Sequence, residues 1–247
     1  MNEICRFGIR IHPFTKNDFL NIIESCLKTG SKITQNGVNA STIIDLKADS
    51  ELREAINHSD LVNIDGMSVL LALRLLGFKA PERVTSPDLA ENVLAIANSN
   101  NYTVFLLGAS HTSLLLCKQK IQERYKNIKI AGYHDGYFGT DQETEIVQLI
   151  NEVEPDILLL GMPSPKKELF VEKNREKLEV KYFLGVGGFF DILAGLKKRA
   201  PAWIQRIGME WGYRLLQEPR RMWRRYLIGN PKFIWLVVKE KFKVGQQ

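Results

Sequence analysis

The sequence predicts an α/β fold, a mostly parallel sheet with helices on both faces, followed by a basic helical appendage. Three observations lead there. Short apolar runs of β-forming residues end in Gly- or Asp-containing turns, each turn opens into a segment of helical periodicity, and the unit recurs up to about residue 196. Beyond that point the charge changes: thirteen Lys and Arg fall between Lys197 and Lys243 against three Glu, a net of +10 in a chain whose total is +6, so the remainder carries −4. All four tryptophans, Trp203, Trp211, Trp223 and Trp235, share that stretch. We therefore divide the 247 residues into an α/β core, 1–196, and a cationic, aromatic-rich helical appendage, 197–247.

The units follow in order. Leu61–Ile64 runs into Asp65-Gly66 and a helix through Leu76, and Val104–Leu107 into Gly108-Ala109-Ser110 and a helix through about Arg124. Ile157–Leu160 then leads into Gly161-Met-Pro-Ser164, and Tyr182–Leu184 into Gly185-Val-Gly-Gly188. In a sheet of this Rossmann-like kind ligands bind beyond the carboxyl ends of the strands, so these four loops are expected on one rim. In the appendage, prolines predict three helices: Pro201 to about Leu216, Pro219 to about Tyr226 and Pro231 to about Phe242. If the chain stays helical across Pro219, Arg214, Arg221 and Arg225 stand close to one face.

Composition excludes several classes. With 45% hydrophobic and 25% charged residues the chain is neither a disordered tail nor a mini-scaffold. Three cysteines, Cys5, Cys26 and Cys117, without CxxC spacing argue against a disulfide framework and a zinc cluster and for a reducing compartment. The N-terminus lacks a leader pattern, and the apolar run Phe233–Val238 is far short of the ~18 residues of a spanning helix, so an unsecreted chain without a transmembrane helix is expected.

Several motifs bear on chemistry. The Gly185-Val-Gly-Gly-Phe-Phe-Asp191 loop follows a strand and opens a helix, which suits either a diphosphate or a tight structural turn. It is not a dinucleotide fingerprint, because the third glycine would fall at Phe190, nor a P-loop, because no GK[ST] follows. Asp65, in the first rim turn, is either a cap or a general base for a sugar hydroxyl. No DxD pair occurs, and His12, His58, His111 and His134 show no metal-ligand spacing, so no metal is expected. The arginines and aromatics of the appendage admit a solvated surface, a membrane or pyrophosphate patch, or a nucleic-acid-binding patch, and the last keeps a nucleic-acid-binding protein as the alternative. A nucleotide-dependent oxidoreductase is weakened by the missing glycine.

The ordered motifs Asn39-Ala40, Asp65-Gly66-Met67, Glu82-Arg-Val-Thr85 with Pro87-Asp88-Leu89, Gly136-Tyr-Phe138, Gly161-Met-Pro with Pro165-Lys166 and Glu168, Lys198-Arg-Ala-Pro201, Gly208-Met-Glu-Trp-Gly-Tyr-Arg214, Glu218-Pro-Arg-Arg221 and Arg224-Arg-Tyr226 resemble the WecG/TagA/CpsF glycosyltransferases, family 26, over about residues 5 to 240. The resemblance implies a metal-independent, inverting transfer of N-acetylmannosamine or a related hexose from a UDP-sugar to a polyprenyl-diphosphate-linked saccharide, in teichoic acid, capsule or exopolysaccharide synthesis. It implies no cofactor and no nucleic acid, an anionic membrane surface as partner, an oligomer as an option, and a bacterial cytoplasmic location at the inner face of the cell membrane. By the same resemblance Asp65 is the general base, and Asn39, Arg83 and Thr85 line its pocket, with Arg83 on a phosphate. Tyr137, Gly187, Gly188 and Asp191 form the UDP site, and Arg214, Arg221 and Arg224 fold over it to neutralise a diphosphate. Two positions depart from the family pattern: Lys167 stands where many members have Gln, and Gly37 where many have Thr two residues before the asparagine. Lys167 is either a phosphate ligand or a solvated lysine.

Overall fold

The computed structural model describes residues 3–244, so the ends of the chain at 1–2 and 245–247, which the predicted core and appendage include, lie outside the described residues. Two short strands, β1 (Ile4–Arg6) and β2 (Ile9–Ile11), form an antiparallel hairpin. Helix α1 (Lys16–Thr29) starts at a reciprocal cap between Thr15 and Asp18 and ends at Gly30 in the left-handed conformation, φ 73°. Then come β3 (Ile33–Val38), α2 (Ala40–Asp45), α3 (Ser50–Asn57), β4 (Leu61–Ile64), α4 (Met67–Leu75) and α5 (Ser86–Asn100). The second half continues with β5 (Thr103–Gly108), α6 (His111–Arg124), β6 (Lys129–His134), α7 (Glu143–Glu152), β7 (Ile157–Gly161), α8 (Lys166–Asn174), β8 (Tyr182–Gly185) and α9 (Phe189–Leu193). The tail holds α10 (Ala202–Arg206), α11 (Glu210–Gln217), α12 (Pro219–Trp223), a π-helical segment (Arg224–Ile228) and α13 (Gly229–Val244).

Strands β3 to β8 form one six-stranded, all-parallel sheet in the order β4-β3-β8-β7-β5-β6. Alternate strand residues face opposite ways, and both faces are covered. Val104, Leu106, Leu159 and Leu184 pack under α1, α5, α6 and α9, whereas Phe105, Leu107, Leu158 and Phe183 pack under α7 and α8. A further cluster joins the hairpin, α2 and α4, and α13 closes it by burying Phe233 and Val237. One face of the last helix thus belongs to the core, and its cationic residues lie around that anchor.

All four predicted strand–loop units form. One central strand, β3, was not among them, because Thr34, Gln35 and Asn36 interrupt any apolar pattern. They are buried yet partnered across the sheet: Thr34 with Asp60, Gln35 with the Tyr182 hydroxyl and Asn63, and Asn36 with Ser59.

The predicted helices of the tail need correction. The first breaks at Gly208, φ 76°, where the backbone turns against the Met67 side chain, leaving α10 and α11. The second and third are joined, because the π-helical segment carries the chain into α13 and places Pro231 inside that helix instead of at its start. A wider turn just before a proline relieves the clash with the preceding carbonyls. A break at Glu218, φ −129°, separates α11 from α12, so Arg214 does not share a continuous helical face with Arg221 and Arg225.

Candidate active site

Because the six strands are parallel, their C-terminal ends open on one rim, and the loops stand in strand order. Asp65-Gly66 follows β4, Asn39 follows β3, Gly187-Gly188 follows β8, Met162–Pro165 follows β7, Ala109-Ser110 follows β5, and the 135–142 loop follows β6. Asp65 and Tyr137 therefore leave opposite edge strands, five intervals of roughly 4.8 Å apart.

Asp65 is held from two sides. The backbone N–H groups of Asp65 and Gly66 both donate to the Val38 carbonyl, at 3.0 and 3.1 Å. Its Oδ1 accepts the N–H of Ser86, at 2.8 Å. Ser86 is the first residue of α5, where a backbone N–H has no partner within the helix and the helix dipole favours a negative charge. Asn63 steadies that contact by donating to the Val84 carbonyl at 2.7 Å. Gly37 lies beneath: a Cβ there would overlap the Ser86 hydroxyl and come within 3.0 Å of the Asp65 Cβ and Asn63 Nδ2. Ser86 thus occupies the space that the glycine leaves.

Asn39 abuts the same loop. A Cβ on Gly66 would lie 2.9 Å from that of Asn39, and the Asn39 carboxamide oxygen caps α2 through Ser41 and Thr42. Arg225 donates to that oxygen at 3.4 Å.

Next to Ser86, Thr85 caps α5, donates its hydroxyl to Asp88, and accepts from Arg199 at 3.3 Å; Arg199 also pairs with Asp88 at 2.7 Å. Burial would raise the Asp88 carboxyl, but the bonds from Arg199 and Thr85 outweigh it and hold the group below its ordinary value. Arg83 pairs with Glu210 of α11 at 3.3 Å, and Glu210 in turn holds Arg214 at 3.1 Å. The core arginine and the tail arginine thus share one carboxylate.

The middle of the rim is open. Gly187, φ 53°, and Gly188 have nothing within 4 Å of where a side chain would start. Asp191 behind them is already committed: one oxygen takes the Ser113 hydroxyl at 2.7 Å and the other takes Lys197 at 2.8 Å. Burial pushes its carboxyl up, and these two partners bring it below the usual carboxylate value. Lys197 also pairs with Glu218, which holds Arg221 at 2.9 Å, so Asp191 roots the tail on the core. Arg224 lies over the Trp223 ring, 5.2 Å from its centre, and does not reach the rim; Arg225 does.

At the far edge, the Tyr137 ring is 80% exposed. Its loop is fastened by Lys166, which donates to the carbonyls of Gly136 and Phe138 at 2.8 and 2.6 Å. Lys167 is 11% exposed and ion-paired with the buried Glu168, its stem against Gly185, so it is no solvated lysine. Its charge has an internal partner.

The structure therefore brings Asp65, Asn39, Arg83, Thr85 and Arg214 to one end of the rim and puts Tyr137 at the other, with Gly187 and Gly188 between. Sequence reasoning missed Ser86, Arg199 and Arg225. Arg199 stands in the Lys198-Arg-Ala-Pro201 motif and Arg225 in Arg224-Arg-Tyr226, so both were visible without a role; nothing local marks Ser86. Among the described residues no three His, Cys, Asp or Glu side chains gather as a metal-holding group. No helix among them is long and apolar enough to cross a membrane.

The family described as "Glycosyl transferase WecG/TagA/CpsF family" matches residues 4–247. A Bacillus subtilis (strain 168) protein named N-acetylglucosaminyldiphosphoundecaprenol N-acetyl-beta-D-mannosaminyltransferase is 33% identical over 193 residues, 78% of this chain and 74% of its own length. Proteins of the same name from Staphylococcus aureus strains MW2 and MRSA252 are 34% and 35% identical over 191 residues, 77% of this chain and 74% of theirs.

Proposed function

The chain belongs to the WecG/TagA/CpsF family of glycosyl transferases and is a glycosyltransferase, and from that premise we propose that it moves an N-acetylmannosamine-type hexose from a UDP-sugar to a polyprenyl-diphosphate-linked saccharide. The observation that carries this reading is the held carboxylate of Asp65, with arginines beside it and an open glycine loop further along the same rim. The names of the relatives supply the acceptor class, a diphosphoundecaprenol-linked N-acetylglucosamine.

In the proposed reaction the acceptor hydroxyl attacks the anomeric carbon of the donor, inverting it. Asp65 takes the hydroxyl proton as the new C–O bond forms, and the bond to the UDP oxygen breaks. Asp65 presents one oxygen to Ser86, which leaves the other for the acceptor. The departing diphosphate gains negative charge, which the N–H groups at Gly187-Gly188 and the guanidinium groups of Arg83, Arg214, Arg221 and Arg225 stabilise in place of a metal ion. The uracil lies toward the Tyr137 ring and the sugar toward Asp65, an orientation supported by the order of the loops along the rim. Transfer of labelled sugar from UDP to a lipid-diphosphate acceptor, undiminished by EDTA, is the test; activity that vanishes with EDTA and returns with manganese contradicts the metal-free reading.

The tail supports attachment to an anionic membrane face. Trp203, Ile207, Leu216, Leu227, Trp235 and Phe242 are each more than half exposed, and basic residues alternate with them. Each Lys or Arg near such a surface contributes on the order of 1 kcal/mol.

The hold on Asp65 makes its own prediction. Ser86→Ala keeps the N–H, whereas Ser86→Pro removes it and sets the ring Cδ against the Asp65 carboxylate, at a first helical position. Thr85 is already extended, φ −83° and ψ 144°, as a residue preceding proline must be. The Pro variant is expected to lose roughly 10- to 100-fold in kcat with little change in acceptor KM, the Ala variant little of either. Equal activity in the two variants would remove Ser86 from the mechanism.

A further inference from the structure

Helix α4 begins two residues after Asp65, and its exposed side carries two leucines beside Ser68 and Arg74. Leu71 and Leu75 are 56% and 55% exposed. With Met67 they stand four residues apart, in one row about 12 Å long. The Asp65 end of the row is roofed by the tail. Met67 touches the turn at Gly208, and the neighbours of that turn, Ile207 and Met209, are 63% and 43% exposed. An apolar strip one side chain wide therefore runs from the turn carrying Asp65, beneath the α10–α11 corner and out along α4.

We infer that this strip holds the first isoprene units of the acceptor's hydrocarbon chain. The inference rests on the proposed polyprenyl-linked acceptor. Three features favour that occupant. The strip is continuous with the turn that presents Asp65, where the saccharide end of such an acceptor must sit. Its width suits a single hydrocarbon chain. It is also too small for a second copy of the protein, because two leucines and a methionine fall far short of the ~800 Å² per partner in a stable interface. Arg74, on the same helix, is turned aside and donates to the carbonyls of Ala80 and Pro81 at 2.9 and 2.6 Å, which keeps its charge off the strip. The strip thereby discriminates acceptors by lipid, while Asp65 acts on the sugar.

The test is the double variant Leu71→Ser with Leu75→Ser, assayed in the full chain with two acceptors that carry the same sugar diphosphate, one on a long polyprenyl chain and one on a short alkyl chain. Both leucines are more than half exposed, so the fold is expected to survive. For the long-chain acceptor KM is expected to rise about tenfold, with kcat unchanged and the short-chain KM unmoved. Binding to phosphatidylglycerol–phosphatidylethanolamine vesicles and the sedimentation coefficient stay those of the parent. An unchanged KM, or an equal rise for both acceptors, overturns the inference. Loss of vesicle binding would assign the strip to the bilayer, and a smaller sedimenting species would assign it to a second copy; either overturns it. No turnover by the parent chain on either acceptor would overturn the glycosyl-transfer reading itself.

Discussion

Asp65→Asn is expected to leave a folded chain whose turnover on a lipid-linked acceptor falls by about 10²- to 10⁴-fold. The substitution is narrow by design. An asparagine oxygen still accepts the Ser86 N–H that the Asp65 carboxylate takes at 2.8 Å, and the backbone bonds from residues 65 and 66 to Val38 are untouched. The ability to take a proton is lost, together with the negative charge that faces the start of α5. Thermal stability should therefore stay near that of the parent, and acceptor KM should move little, while kcat collapses. Turnover within about threefold of the parent would show that Asp65 is a turn residue and that the proton leaves by another route.

The largest effect on stability is expected at Gly108. This residue ends β5 with φ 135°, a region that side chains rarely enter, and pairs in register with Gly161 at the end of β7. A Cβ there would overlap the Gly161 carbonyl carbon and sit 2.7 Å from its Cα and O. Backbone cannot swing aside as a side chain can, and Gly161 is itself backed by the Phe190 ring. Gly108→Ala should cost about 3 kcal/mol or more from strain and overpacking combined, lowering the melting temperature by roughly 10 °C. Gly188→Ala is the control, with φ −77° and open space around it, and should melt within about 2 °C of the parent. Thermal denaturation of the two variants decides the matter, and equal melting points would contradict this packing of the rim.

Much of the fold could be read from the sequence where both sheet faces are dry. Val104–Leu107, Ile157–Leu160 and Tyr182–Leu184 are apolar on both sides because helices cover both, Leu61–Ile64 departs only at Asn63, and each forms the strand it suggests. Strand β3 escaped because its burial is achieved by polar partners supplied from elsewhere in the chain, among them Asn63 and Tyr182. The tail was legible as helical and basic but not in its breaks, since Gly208 turns against Met67, a contact no local pattern encodes. The same holds for the site. Asp65 stands out by its place in a rim turn, whereas Ser86, Arg199 and Arg225 work on residues 21, 114 and 186 positions away. Tertiary proximity creates their roles, so residue type and spacing leave no trace of them.

Charge shows the same division. The +10 of the tail includes four cations whose partners the structure names in Asp191, Glu210, Glu218 and Asp88. Lys197–Asp191 and Arg199–Asp88, with Arg83–Glu210, join the appendage to the rim, and the pairs of Glu218 and Arg214 lie within the appendage, while exposed residues such as Arg206, Arg220 and Lys239 lie beyond those pairs. The appendage is thereby rooted beside the site as well as charged toward its surroundings.

The central claim is tested most directly by incubating the full chain with a panel of labelled UDP-sugars and a polyprenyl-diphosphate-linked N-acetylglucosamine, in EDTA, and following label into the lipid fraction. The account predicts transfer from an N-acetylmannosamine-type donor, lost in Asp65→Asn. Absence of transfer from every UDP-sugar, together with tight, salt-sensitive binding of oligonucleotides, would contradict it.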